Sequence, residues 1–158
     1  MGSDSGLADV WDVQRGEVVN ELEAHSQNVH QVLFDSGGGL LSCGEGLVKS
    51  CSCESGEQLD LFKVGKAAVR RLALSADDTH VLLSGTTIRL MRREGWKRLQ
   101  RLPGNAEPVS CLCFAPHEQF ALWSPDERHL SLWHTSPQVK PTEACVHTTS
   151  RPSKEVAS

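Results

Sequence analysis

Shifted by 40 residues, the sequence falls into register with itself. Val29, Val69 and Val109 align, then Val32, Leu72 and Leu112, then Phe34, Leu74 and Phe114. The five positions that follow are turn-like in each copy: Asp35–Gly39 (DSGGG), Ser75–Thr79 (SADDT) and Ala115–Gln119 (APHEQ). Apolar residues resume at Leu40 and Leu41, at Val81–Leu83 and at Phe120–Leu122. A gapless repeat of this length marks a supersecondary unit that buries its apolar surface by stacking on its neighbours.

The opening stretch ADVWDVQRGEVVNELEAH (Ala8–His25) joins the same register. Trp11, Cys51 and Met91 are spaced by 40, and Trp133 lies 42 further on. Each sits near the end of a short alternating run: ADVWD, VKSCS, TIRLM and HLSLW. His25, Gly65 and Asn105 share a second position. Alternation with period 2 predicts strands with one buried and one exposed face. Turn signals every 8–12 residues or so predict an all-β fold. Strands are expected near 8–12, 18–22, 29–35, 40–43, 48–52, 58–63, 69–75, 80–83, 87–91, 97–102, 109–115, 120–123 and 129–134. The segments VVNELEAH and WKRLQRL each supply two helical turns, but neither continues a 3.6-residue pattern.

The stretch SDSGLADVWDVQRGEVVNELEAH resembles the WD-repeat β-propeller family. The resemblance extends over residues 3–134, as repeats of about 3–24, 25–64, 65–104 and 105–134. It implies an incomplete propeller of roughly three blades with four strands per blade. It also implies a hydrogen-bonded set in each blade: a His, a hydroxyl residue, an Asp in a tight turn and the Trp. The structural positions of that set are Trp11, Asp12, His25, Ser42, Glu45 and Trp133, with Glu45 standing in for the Asp. The chain departs from the pattern often. Trp11-Asp12 is the one true pair; its equivalents are Cys51-Ser52, Met91-Arg92 and Trp133-His134.

Three segments, LLSGTTIRL, RLPGNAEPVSCLCF and AHSQNVHQVLFDSGGGLLSCGEG, are similar to the Utp-five-like WD-repeat subunit of the small-subunit processome. That likeness implies a non-enzymatic scaffold in pre-ribosomal RNA transcription and processing, located in the nucleus and nucleolus. The broader resemblance equally allows an adaptor in a ubiquitin-ligase, chromatin or cytoskeletal complex, since fold does not fix function. Propellers use about four to eight blades, so the missing blades are expected from a longer product or from another chain. Residues 135–158 are rich in Pro, Ser, Thr and charge and are expected to be a disordered tail.

Charge is unevenly placed. Residues 1–60 carry 11 acidic and 2 basic side chains, whereas residues 63–101 carry 10 basic and 3 acidic ones. The basic block, with Arg70, Arg71, Arg89, Arg92, Arg93, Lys97, Arg98 and Arg101, suits contact with RNA phosphates or an acidic partner. Its competing role is blade-to-blade pairing. Alternation puts Arg89, Met91 and Arg93 on one strand face and Arg92 on the other.

Other motifs carry less. Cys51-x-Cys53 and Cys111-x-Cys113 each put two thiols on one side of a strand, the basis for a metal-dependent enzyme reading. Zinc sites favour wider spacing, however, and the repeat register explains both pairs as small apolar filler. The glycines at Gly37–Gly39, Gly44 and Gly46 lack the Gly-Lys-Ser/Thr of a phosphate loop and fall on repeat turns. No catalytic, cofactor-binding or metal site is therefore expected. The N-terminus lacks a basic flank and an apolar core, so secretion is not expected, and no apolar run approaches the roughly 20 residues that span a bilayer. The six cysteines are then expected to be reduced.

Overall fold

The computed structural model describes residues 6–66, 68–102, 109–115, 120–124, 129–135 and 144–147. The first sheet pairs β1 (Leu7–Asp12) with β2 (Glu17–Glu23). The second holds β3 (Val29–Phe34), β4 (Gly39–Gly44), β5 (Leu47–Ser52) and β6 (Gln58–Lys63). The third holds β7 (Arg71–Leu74), β8 (His80–Ser84), β9 (Ile88–Arg92) and β10 (Lys97–Leu102). The fourth holds β11 (Cys111–Phe114), β12 (Phe120–Ser124), β13 (His129–His134) and β14 (Ala144–His147). Each strand pairs antiparallel with its neighbour in sequence, so every sheet is a meander and the whole is a partial β-propeller.

Turn chemistry sets the meanders. Asp12 accepts the backbone N–H groups of Gln14 and Arg15 at 2.9 and 3.0 Å, which closes the turn into β2. Asp35 accepts those of Gly37 and Gly39 at 3.1 and 2.6 Å between β3 and β4. In the next unit Ser75 and Thr79 donate their hydroxyls to Asp77, both at 2.7 Å. Those bonds hold the Asp77 carboxyl well below the usual carboxylate range.

Within the segment expected to be a tail, Ala144–His147 pairs with β13 (His129 opposite His147) and gives the fourth sheet a fourth strand. The rest of 135–158 beyond Thr135 lies outside the described residues. The one-face-buried reading fails for β4 and β8, the second strands of the two sheets that have a neighbour on each side. In β8, Val81 and Leu83 pack toward the second sheet, while Leu82 packs toward the fourth. A sheet sandwiched between two others is apolar on both sides, so its inner strands read as continuous apolar runs. Three apolar layers result. Ala8, Leu22, Leu40 and Cys51 lie between the first and second sheets. Leu41, Val48, Leu72 and Met91 fill the next layer, and Leu90, Leu112, Trp123 and Trp133 the last.

Candidate functional site

Repeat positions carry the polar links between sheets. Gln31 on β3 donates from Nε2 to the Leu72 carbonyl at 3.1 Å, and its Oε1 accepts the Leu72 N–H at 2.8 Å. Arg71, 40 residues later, donates from Nε to the Ser110 carbonyl at 3.1 Å. These two reach forward to the next sheet. Lys49 and Arg89, also 40 apart, reach backward: Lys49 to the Glu23 carbonyl at 3.4 Å and Arg89 to the Val64 carbonyl at 2.8 Å. Arg93 forms a 2.6 Å ion pair with Asp35 on the second sheet. Asp78 accepts both the backbone N–H (2.8 Å) and the hydroxyl of Ser36 across the same boundary.

The basic block is therefore split. Arg71, Arg89 and Arg93 are half-buried and tied to neighbouring sheets, as the alternation of β9 predicts for the last two. Arg70, Arg92, Lys97, Arg98 and Arg101 are exposed on the third sheet. Arg92 and Lys97 face each other across β9 and β10.

The tryptophan position behaves alike in the later units. Cys51, Met91 and Trp133 are all buried, each in the layer against the preceding sheet. Trp133 stacks on Trp123 with ring centroids 5.4 Å apart. Trp11 holds the same position but is 57% exposed. The layer behind it is missing among the described residues. His25 is buried and bonds the Ser42 hydroxyl through Nε2 at 3.1 Å. Burial, with the Lys49 charge, lowers its pKa below the ordinary value. Glu45 accepts the Ser26 hydroxyl at 2.7 Å. Cys51, at the tryptophan position, leaves this blade without an indole donor.

Trp96, the one aromatic of the basic block 63–101, has a structural role that the sequence did not reveal. It lies 40 and 80 residues beyond Gly56 and Gly16. Those glycines have φ of 71° and 69°, and Trp96 adopts 49° in the same left-handed region. A bulky residue there is strained by about 1–2 kcal/mol. Its ring stacks flat on Phe62, with centroids 5.0 Å apart and planes 5° apart. Its indole N–H reaches Asp60. Beside it lies an open groove of about 720 Å³, lined by Leu59, Asp60, His80, Arg92 and Glu94 among others. The repeat spacing was the signal that could have found Trp96, Gln31 and Lys49.

The cysteines do not converge. Cys43 and Cys51 are buried, whereas Cys111 and Cys113 are exposed on β11. Burial pushes the Cys43 thiol up to about 12 and also raises Cys51, Cys53 and Cys113. Such thiols are poor ligands and poor nucleophiles at neutral pH. Among the described residues no group of three or more His, Cys, Asp or Glu side chains is placed to hold a metal.

A comparison with curated proteins gives no match. Residues 96–134, from Trp96 through the end of β13, match the family model of the WD domain, G-beta repeat, which places a WD repeat across the boundary between the third and fourth sheets.

Proposed function

We propose that this chain is a non-enzymatic interaction scaffold of WD-repeat type, acting in ribosome biogenesis as part of the small-subunit processome. The WD repeat at 96–134 supports the scaffold role. The observation that carries the finer reading is the separation of the basic block. Arg71, Arg89 and Arg93 serve the sheet boundaries, whereas Arg70, Arg92, Lys97, Arg98 and Arg101 face solvent. Exposed cations on the third sheet suit RNA phosphates or an acidic protein. Trp96, the one aromatic in that block, is buried, so phosphate contact rather than base stacking would supply the affinity.

In this reading the chain resides in the nucleolus and contacts pre-ribosomal RNA within a multi-subunit complex. Affinity purification with mass spectrometry, together with crosslinking to RNA, tests it. Recovery of processome subunits and pre-ribosomal RNA, reduced by Arg98→Glu and Arg101→Glu, is the expected result. Exclusive recovery of ubiquitin-ligase, chromatin or cytoskeletal partners would replace it.

A further inference from the structure

The backward face of the first sheet differs from those of the second and third sheets. Lys49 and Arg89 project toward the preceding sheet and donate to its backbone carbonyls. Counting back 40 residues from Lys49 gives Asp9, an acceptor where the second and third sheets carry a donor. Ala8 packs in the layer shared with the second sheet, and Val10 packs against it. Alternation therefore turns Leu7 and Asp9 to the opposite side, and Trp11, beyond a register shift between Val10 and Trp11, is exposed. Their cross-strand partners are Glu23, Glu21 and Val18. Asp9 thus faces Glu21, two exposed like charges directly opposite, an arrangement that disfavours a free sheet. Beside them Trp11 is 57% and Val18 47% exposed.

We propose that this face is a docking surface for a basic polypeptide segment, an extended strand with alternating Lys or Arg and apolar residues. A cation between Asp9 and Glu21 relieves their repulsion, and an apolar side chain covers Trp11 and Val18. A surface offering only carbonyls, as the interior sheets do, is repelled by Asp9. Nucleic acid is excluded by the same charge. The site is separate from the exposed cations of the third sheet, so it stands or falls independently of the RNA reading.

The test is titration of the full chain with a synthetic peptide of alternating Lys and Val, read by calorimetry and Trp fluorescence at physiological ionic strength. The Lys-Val peptide is expected to bind, and a Glu-Val peptide is not. Binding should weaken by about tenfold or more with Trp11→Ala, with Asp9→Lys, or when Val in the peptide is replaced by Gly. Asp9→Lys puts opposite charges across from Glu21, so the sheet itself is retained; thermal unfolding checks this. The proposal is overturned if the Lys-Val peptide fails to bind, if the Lys-Gly peptide binds equally, or if Asp9→Lys leaves binding unchanged. It is also overturned if sedimentation shows a dimer abolished by Trp11→Ala, which would make a second copy the occupant, or if an oligo-uridylate binds in a Trp11-dependent way.

Discussion

Trp96 donates its indole N–H to Asp60 at 2.5 Å, tying the third sheet to the outer strand of the second. The bond explains why a bulky residue occupies a backbone conformation that the two earlier repeats reserve for glycine. Stacking on Phe62 and the charged acceptor together outweigh the left-handed strain. Trp96→Gly relieves that strain but removes a nearly buried ring. We expect a net loss of about 2–4 kcal/mol in urea unfolding. Asp60→Asn, which retains an acceptor oxygen, should cost only about 1 kcal/mol. Equal midpoints for Trp96→Gly and the parent chain would remove the assigned role.

The cations of the third sheet divide into two classes that one experiment separates. Arg93→Met leaves the Asp35 carboxylate, 10% exposed, without its partner and should cost about 2–3 kcal/mol. Arg92→Glu and Arg98→Glu lie on exposed positions and should change stability by less than about 0.5 kcal/mol. Denaturant midpoints measured side by side decide whether the half-buried arginine is structural.

Trp11→Ala measures the cover over the first sheet. A buried indole would cost about 3–5 kcal/mol on truncation. With more than half of its surface exposed, Trp11 should cost less than about 1.5 kcal/mol. A loss in the buried range would show that something covers this face in solution.

Stability should fall as pH drops below the ordinary histidine value of 6.5. The folded state lowers the His25 pKa, chiefly through burial, so the unfolded chain binds the proton first and is favoured as pH falls toward the folded value. Above 6.5 both states hold His25 neutral and this contribution is flat. His25→Gln should flatten the melting temperature between roughly pH 6.5 and 5. An unchanged slope in that variant would assign the effect elsewhere.

Thiol labelling should follow exposure. Cys111, exposed on β11, is expected to react with iodoacetamide in the native state, whereas Cys43 reacts only after unfolding. Mass spectrometry of native and urea-treated samples reads the difference. Rapid native labelling of Cys43 would contradict its place between the second and third sheets.

The repeat spacing of 40 made the strand positions and the four-stranded units legible in the sequence, because period-2 alternation and turn residues are local properties. The same spacing placed Cys51, Met91 and Trp133 at one position, and all three are buried. It could not say that β8 is covered on both sides, because cover depends on which sheets stack against it. Nor could it show that Arg89 and Arg93 serve neighbouring sheets while Arg92 has no such partner among the described residues; alternation gave the face, but only packing supplied the carbonyl of Val64 and the carboxylate of Asp35. Trp96 was hidden for the same reason. Its φ, its stack on Phe62 and its bond to Asp60 join residues 34 and 36 apart in sequence, and such partners come together only when the sheets do. Local chemistry determined the units, and tertiary contact decided which charges are structural and which remain available to a partner.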